Sequence, residues 1–298
     1  MQEFGAKIMK RAALFISVLF LTAACSVGYG PLQDHSEFVS ARLADDKHSV
    51  LFSFHDFAYR PAAGWRAFPD GGIPNYVKDI NLLGVYDLQS RKVRILRHEK
   101  NSIWEPGSGL FTVQAVKGSK ALISQGGQLR GPFRLGVRYL LLDFEQAKVV
   151  DLDLKADLAI HGRDTGQIYL VDTNGTLVFV TVSLGEAKEP GAYRNNALLP
   201  EIWVRTNGGD YVKVAASAHY EGTKNGEVIY WEPSTRDFKA FSIAGRTTRK
   251  ASEYKVPGYE DVTEGVILSS DRKGLEYGVK VAGQWKYRLL DLKPEQLK

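Results

Sequence analysis

From His48 onward, the apolar residues of this chain recur at every second position, in short runs separated by Gly, Asn, Asp, Lys and Ser. That alternation constrains the fold more than any other feature. Successive side chains of a strand point to opposite faces, so a period of two marks strands with one buried face. No long stretch carries the i, i+3, i+4, i+7 spacing of an amphipathic helix. The runs pair into hairpins: residues 82–88 with 92–96, 139–143 with 148–154, 202–205 with 211–214 and 228–231 with 238–243, with residues 287–292 as a truncated fifth unit. Between them lie 110–116 with 121–124, 168–171 with 177–182 and 265–268 with 277–281. Asn174-Gly175 is a tight-turn signal, because both central residues of a type I′ turn need positive φ. The main units end near residues 96, 154, 215, 243 and 294, and three of the four spacings fit one four-stranded unit. The fold expected is all-β, a single β-propeller domain of about five blades (four to six) over residues 48–298. A two-sheet β-sandwich carries the same alternation and is the alternative.

The N-terminus follows other rules. Lys7, Lys10 and Arg11 precede an apolar run, residues 12–24, that ends in small side chains, the order of a secretory signal peptide. Thirteen residues of helix span about 20 Å, short of a hydrocarbon core of ~30 Å, so no permanent membrane span is expected there. Leu21-Thr22-Ala23-Ala24-Cys25 holds the one cysteine of the chain and resembles the lipobox of bacterial lipoproteins. That resemblance implies diacylglycerol on Cys25, cleavage before it and acylation (palmitate among the chains) of the new amine. Two or three acyl chains anchor a protein stably. Ser26, where Asp would retain a lipoprotein at the inner membrane, resembles outer-membrane sorting. The expected organisation is a signal peptide at 1–24, a lipidated tether at 25–47 and the β domain beyond, facing the periplasm. Met9-Lys10-Arg11 is also a conventional opening, so translation from Met1 or from Met9 stays open.

The repeated order of apolar strand, Tyr or Leu, Asp, turn, basic residue and Val resembles the outer hairpin of bacterial propeller blades. Residues 202–214, with Trp203 and Gly208-Gly209, look most like blades of the periplasmic Tol-system propeller. The role this implies is similar to that of the propeller lipoprotein in the outer-membrane barrel-assembly machinery.

Composition narrows function mainly by exclusion. Hydrophobic residues make up 44% and aromatics 11%, a globular mixture with one apolar segment, which excludes a multi-span membrane protein. One cysteine excludes a disulfide framework and a cysteine-rich metal site. Removing Glu3 and the three leader cations takes the formal charge from +5 to +3, too mild for a nucleic-acid partner. The six histidines are scattered and HExxH is absent, so neither a metal nor a cofactor is expected. His55-Asp56 has the residue types of a base and its orienter, but neighbours on a strand face apart. Asp151, Asp153 and Asp157 lack the glycine turn and closing Glu of a calcium loop. No Gly-x-Ser-x-Gly elbow, phosphate loop or dinucleotide fingerprint occurs.

Two segments carry candidate binding residues. Residues 57–79, expected as a loop, hold Tyr59, Trp65, Arg66 and Tyr76, aromatics mixed with arginine as in interface anchors and sugar platforms. Arg130, Arg134 and Arg138 recur every fourth residue in a second expected loop, where forked hydrogen bonds would suit carboxylates or phosphates. Arg246, Arg249, Lys250 and Lys255 would extend a basic rim from a third, residues 244–261. The function expected is a lipid-anchored, non-enzymatic scaffold or accessory subunit with a cell-envelope protein partner. The alternatives are a binding module for an anionic or carbohydrate ligand, glycan or lipid, and a glycan-active enzyme.

Overall fold

A computed structural model describes residues 29–63, 75–100, 109–126, 129–130, 133–134, 137–152, 163–183, 200–207, 209–254 and 263–297. The strands fall into consecutive antiparallel meanders. The first sheet is β1 (Gln33–Leu43), β2 (Ser49–Arg60), β3 (Asn75–Asp87) and β4 (Val93–Lys100), in that order. The second comprises β5 (Phe111–Lys117), β6 (Lys120–Gln125), β9 (Arg138–Asp143) and β10 (Lys148–Leu152). A two-stranded ribbon, β7 (Leu129–Arg130) and β8 (Phe133–Arg134), interrupts it between β6 and β9. The third holds β11 (Arg163–Leu170), β12 (Leu177–Ser183), β13 (Glu201–Arg205) and β14 (Tyr211–Ala216). The fourth holds β15 (His219–Lys224), β16 (Glu227–Glu232), β17 (Asp237–Ser242) and β18 (Thr247–Lys250). The last has three strands, β19 (Glu264–Leu268), β20 (Leu275–Val281) and β21 (Gln284–Leu289), and a 3-10 turn follows at Pro294–Leu297.

Apolar residues on facing sheets bind these units in a series. Phe38, Phe52, Phe54 and Leu82 of the first sheet pack with Val266 and Leu275 of the last, and with Leu290, Leu292 and Leu297 beyond it. On its other side, Leu51, Leu83 and Val85 meet Phe111, Val113, Ile123, Leu140 and Leu142 of the second. Leu122 and Leu141 then meet Leu177, Phe179 and Trp203 of the third, and Val178 and Ile202 of the third meet Val228 and Tyr230 of the fourth. β1 also lies against β5 and β19, the first strands of the two neighbouring sheets. The first sheet is thus buried on both faces, which is why β2 carries the near-continuous apolar run Val50–Phe54.

All seven expected hairpins are paired strands, and the architecture is all-β with repeated four-stranded antiparallel sheets. Three expectations need correction. Much of the tether (25–47) is strand: residues 33–43 form β1, paired with β2 along its length. Residues 57–60 and 75–79 extend β2 and β3, and residues 247–250 form β18, so the loops expected there are shorter. The turn at Asn174-Gly175 is not type I′: only Gly175 has positive φ (89°), and Asp172 Oδ1 accepts from the amides of Asn174 and Thr176 at 2.9 Å. A type I′-like pair does occur at Asn225 (51°) and Gly226 (76°), between β15 and β16. The short spacing before residue 243 also has its cause. The hairpin β16–β17 is the middle pair of its sheet, whereas β3–β4, β9–β10 and β13–β14 are outer pairs.

Candidate functional site

The strands β1, β2 and β3 run 11, 12 and 13 residues, longer than any described strand in the other sheets, and their far ends bring polar and aromatic side chains together. Odd-numbered positions of β2 share one face, turned toward the second sheet. Along that face Leu51 lies in the apolar core and Ser53 comes next. Ser53 Oγ lies 2.7 Å from Ser40 Oγ, which accepts the Val113 amide at 2.8 Å and so ties the two sheets. Further out stand His55 opposite Asn81, then Phe57 opposite Asp79, then Tyr59 opposite Tyr76.

His55 Nε2 and Asp79 Oδ1 are 2.8 Å apart, with both side chains buried. With the carboxylate as acceptor, Nε2 carries the proton. The His55 ring stacks on Phe57 (centroids 4.3 Å apart, 18° between planes), and its Nδ1 is buried without a hydrogen bond. The pair therefore fixes strands; neither ring nitrogen is presented to solvent as a base. Asp56, on the opposite face, pairs with Lys78 at 2.5 Å.

Beside the pair, polar groups cross between the sheets. Asn81 Nδ2 donates to the Gly109 carbonyl, and Gln125 Nε2 donates to Glu99 Oε2 at 2.6 Å. Glu99 also takes Arg97, while Arg138 Nε donates to Asp151 Oδ2 at 2.7 Å and Nη1 reaches Gln125 Oε1 at 3.5 Å. The hydrogen bond to Asp151 raises the Arg138 pKa further above its ordinary value. Beyond this layer the rings of His35, Phe57 and Tyr59 form a stack, with 5.2 Å from His35 to Phe57 and 5.6 Å from His35 to Tyr59, and planes within 19°. Tyr76 leans on Tyr59 at 5.7 Å. The face thus passes from apolar core through a buried polar layer to an aromatic overhang.

Of the expected binding residues, Tyr59 and Tyr76 are brought together. Trp65 and Arg66 lie outside the described residues, as do Cys25, Asp153, Asp157 and Lys255. Arg130 and Arg134 fall on the β7–β8 ribbon, opposite Phe133 and Leu129. Arg138 is engaged by Asp151, so it is not a free anion hook. The basic rim is likewise neutralised: Arg249 is held by Glu227 and Glu253, Lys250 by Asp237 at 2.8 Å and Arg246 by Asp210 at 3.5 Å. The sequence does not reveal His55–Asp79, because the carboxylate next to His55 in the chain is Asp56, whereas its partner is 24 residues away. The legible signal was polar residues at alternate positions inside two apolar runs, Ser53 and His55 in one and Asp79 and Asn81 in the other.

No protein-family model matches the chain, and neither does any curated protein. Among solved structures, an oligogalacturonate lyase in complex with manganese aligns at TM-score 0.36 and 13% identity, over 89% of this chain and 67% of that one. An oligogalacturonate lyase from Vibrio parahaemolyticus aligns at 0.36 and 10%, over 88% and 65%. The β-propeller domain of the Trilobed protease from Pyrococcus furiosus aligns at 0.32 and 10%, over 89% and 82%. These similarities are too low to assign an activity.

Proposed function

We propose that this chain is a β-propeller of about five blades, anchored through lipid on Cys25 to the periplasmic side of a bacterial outer membrane, where it serves as a non-enzymatic accessory subunit for an envelope protein. The observation that carries the reading is the aromatic overhang of His35, Phe57, Tyr59 and Tyr76. Interface energy concentrates in aromatic anchors held rigidly before binding, since less side-chain freedom is then lost. Here the anchors sit on strand ends fixed from below by His55–Asp79, and their direction is set by backbone pairing. Tyr29, bridged to Ala62, and Gly30, whose amide donates to Pro61 at 2.8 Å, lie at this same end, a few residues along the chain from Cys25. A lipid on Cys25 would hold the overhang near the membrane.

Affinity purification of the tagged full-length protein from membranes in mild detergent tests the reading, beside Cys25→Ser and Tyr59→Ala/Tyr76→Ala. A stoichiometric partner should accompany the parent and be lost from the tyrosine variant while its unfolding transition is retained. A partner kept by the tyrosine variant overturns the role of the overhang, and membrane fractionation unchanged by Cys25→Ser overturns the anchor. The near-parallel rings favour one second reading, a platform for the face of a sugar ring. Saturable binding of peptidoglycan fragments at low salt, lost in the tyrosine variant, would support that reading over the first.

A further inference from the structure

Among the described residues, the last sheet is one strand short of the other four large sheets. Its third strand also differs from theirs. β3, β9 and β13 each carry a run of buried residues, whereas all six residues of β21 are exposed. One edge of β21 pairs with β20 from Gln284 to Leu289, and the other edge bears no strand among the described residues. Trp285, Tyr287 and Leu289 share a face and are 37%, 46% and 67% exposed, and Ile267 of β19 adds a further 44% exposed side chain to that face. This apolar strip is ordered: the Trp285 and Tyr287 rings stack at 5.8 Å and 11°, and the Tyr287 ring covers Gly278 where a Cβ would collide with it. The other face of β21 bears Gln284, Lys286 and Arg288. Arg288 lies over the Tyr277 ring at 5.2 Å, and neither cation has a carboxylate partner among the described residues.

We propose that β21 receives an extended segment of a partner protein, a strand that alternates apolar with acidic residues and completes the sheet. Open backbone groups along the edge supply the pairing, the Trp285–Tyr287–Leu289 strip takes the apolar side chains, and Lys286 and Arg288 take the acidic ones. A lone Lys286 would be an edge guard against aggregation, but guarded edges do not set three large apolar side chains beside the lysine. A second copy is a poor occupant. The antiparallel registers that overlap most of β21 and keep both apolar strips on one side set Lys286 and Arg288 opposite the same cations of the copy. This surface is on a different sheet from the aromatic overhang and is independent of lipidation.

Titration of the soluble full domain (residues 26–298) with an eight-residue peptide alternating valine and glutamate tests the proposal, beside the same peptide with lysine for glutamate. Binding should be saturable for the acidic peptide and absent for the basic one. Lys286→Glu/Arg288→Glu should weaken the acidic peptide by about tenfold or more and admit the basic one. Acidic peptides N-methylated at alternate residues separate strand addition from charge attraction: methylation on the pairing edge should abolish binding, and on the other edge should not. Equal binding of both peptides, or indifference to methylation on either edge, overturns the proposal. So does a dimer in sedimentation that Lys286→Glu/Arg288→Glu leaves intact and Tyr287→Ala breaks, and so does slow amide exchange along the whole of β21 in the free protein, which would mean that its own chain covers the edge.

Discussion

His55 and Asp79 are not directly opposed across β2 and β3, yet their side chains meet at 2.8 Å: Phe57 faces Asp79, and Asn81 faces His55, so the contact runs along the diagonal. A diagonal tie fixes both the separation of two strands and their register. Replacing His55 by Ala removes the donor, strips one of three stacked rings from Phe57 and leaves a carboxylate buried without that bond. Urea unfolding should show a loss of about 3 kcal/mol. A loss under about 1 kcal/mol would mean that this pair does not hold the overhang.

Gly84 on β3 sits opposite Phe52, and a Cβ there would lie 2.6 Å from the Phe52 ring carbon Cζ. Phe52 is fully buried and has no room to yield. Gly84→Ala should cost about 1–3 kcal/mol through overpacking. Gly265→Ala on β19, where nothing lies within 4 Å, should change stability by less than about 0.5 kcal/mol. Thermal unfolding of the two variants side by side measures the contrast.

Burial alone would raise the pKa of Asp143. Hydrogen bonds from Lys120 Nζ (2.6 Å) and the Gln146 amide (3.0 Å) outweigh it and hold the carboxyl below its ordinary 3.8. The folded carboxylate therefore takes up a proton less readily than the unfolded one. Its stabilisation is fully present above the unfolded pKa and is lost as pH falls through the folded one. Asp143→Asn should lower stability at neutral pH by about 1–3 kcal/mol. It should also flatten the stability curve between about pH 5 and pH 2, read by denaturant melts at several pH values.

Ser40 and Ser53 share a 2.7 Å contact, but Ser40 alone also accepts the Val113 amide of the neighbouring sheet. Ser40→Ala leaves that buried N–H without its acceptor and should cost about 1–2 kcal/mol, more than Ser53→Ala. Equal losses, measured by chemical denaturation, would refute the inter-sheet tie.

Most strands legible in advance, β3, β6, β9, β13 and β16 among them, are buried by their own apolar residues. β1 was not legible. Of its eleven residues only Phe38 and Ala41 are fully buried, and a bulge between Phe38 and Ser40 breaks the period. It is a strand because β2 pairs with it and β5 and β19 lie against it, and none of that is local. The overhang was half legible: Tyr59 and Tyr76 stood out as aromatics, but the Pro- and Gly-rich residues between them made strand ends resemble loop. The basic rim misled for the opposite reason. Cations close in sequence looked free because their carboxylate partners, Glu227 and Asp210 among them, lie up to 36 residues away.

The first sheet packs against the last through Val266, Leu275, Leu290, Leu292 and Leu297. One wall of the core around Phe38, Phe52 and Phe54 is therefore made by residues far along the chain, from Val266 to Leu297. High contact order of this kind slows folding and leaves the early strands without a finished core until the last sheet has formed. A copy cut short after β18 would expose the cluster of Phe38, Phe52 and Phe54, so a stop codon at that point should yield a chaperone client or a protease substrate.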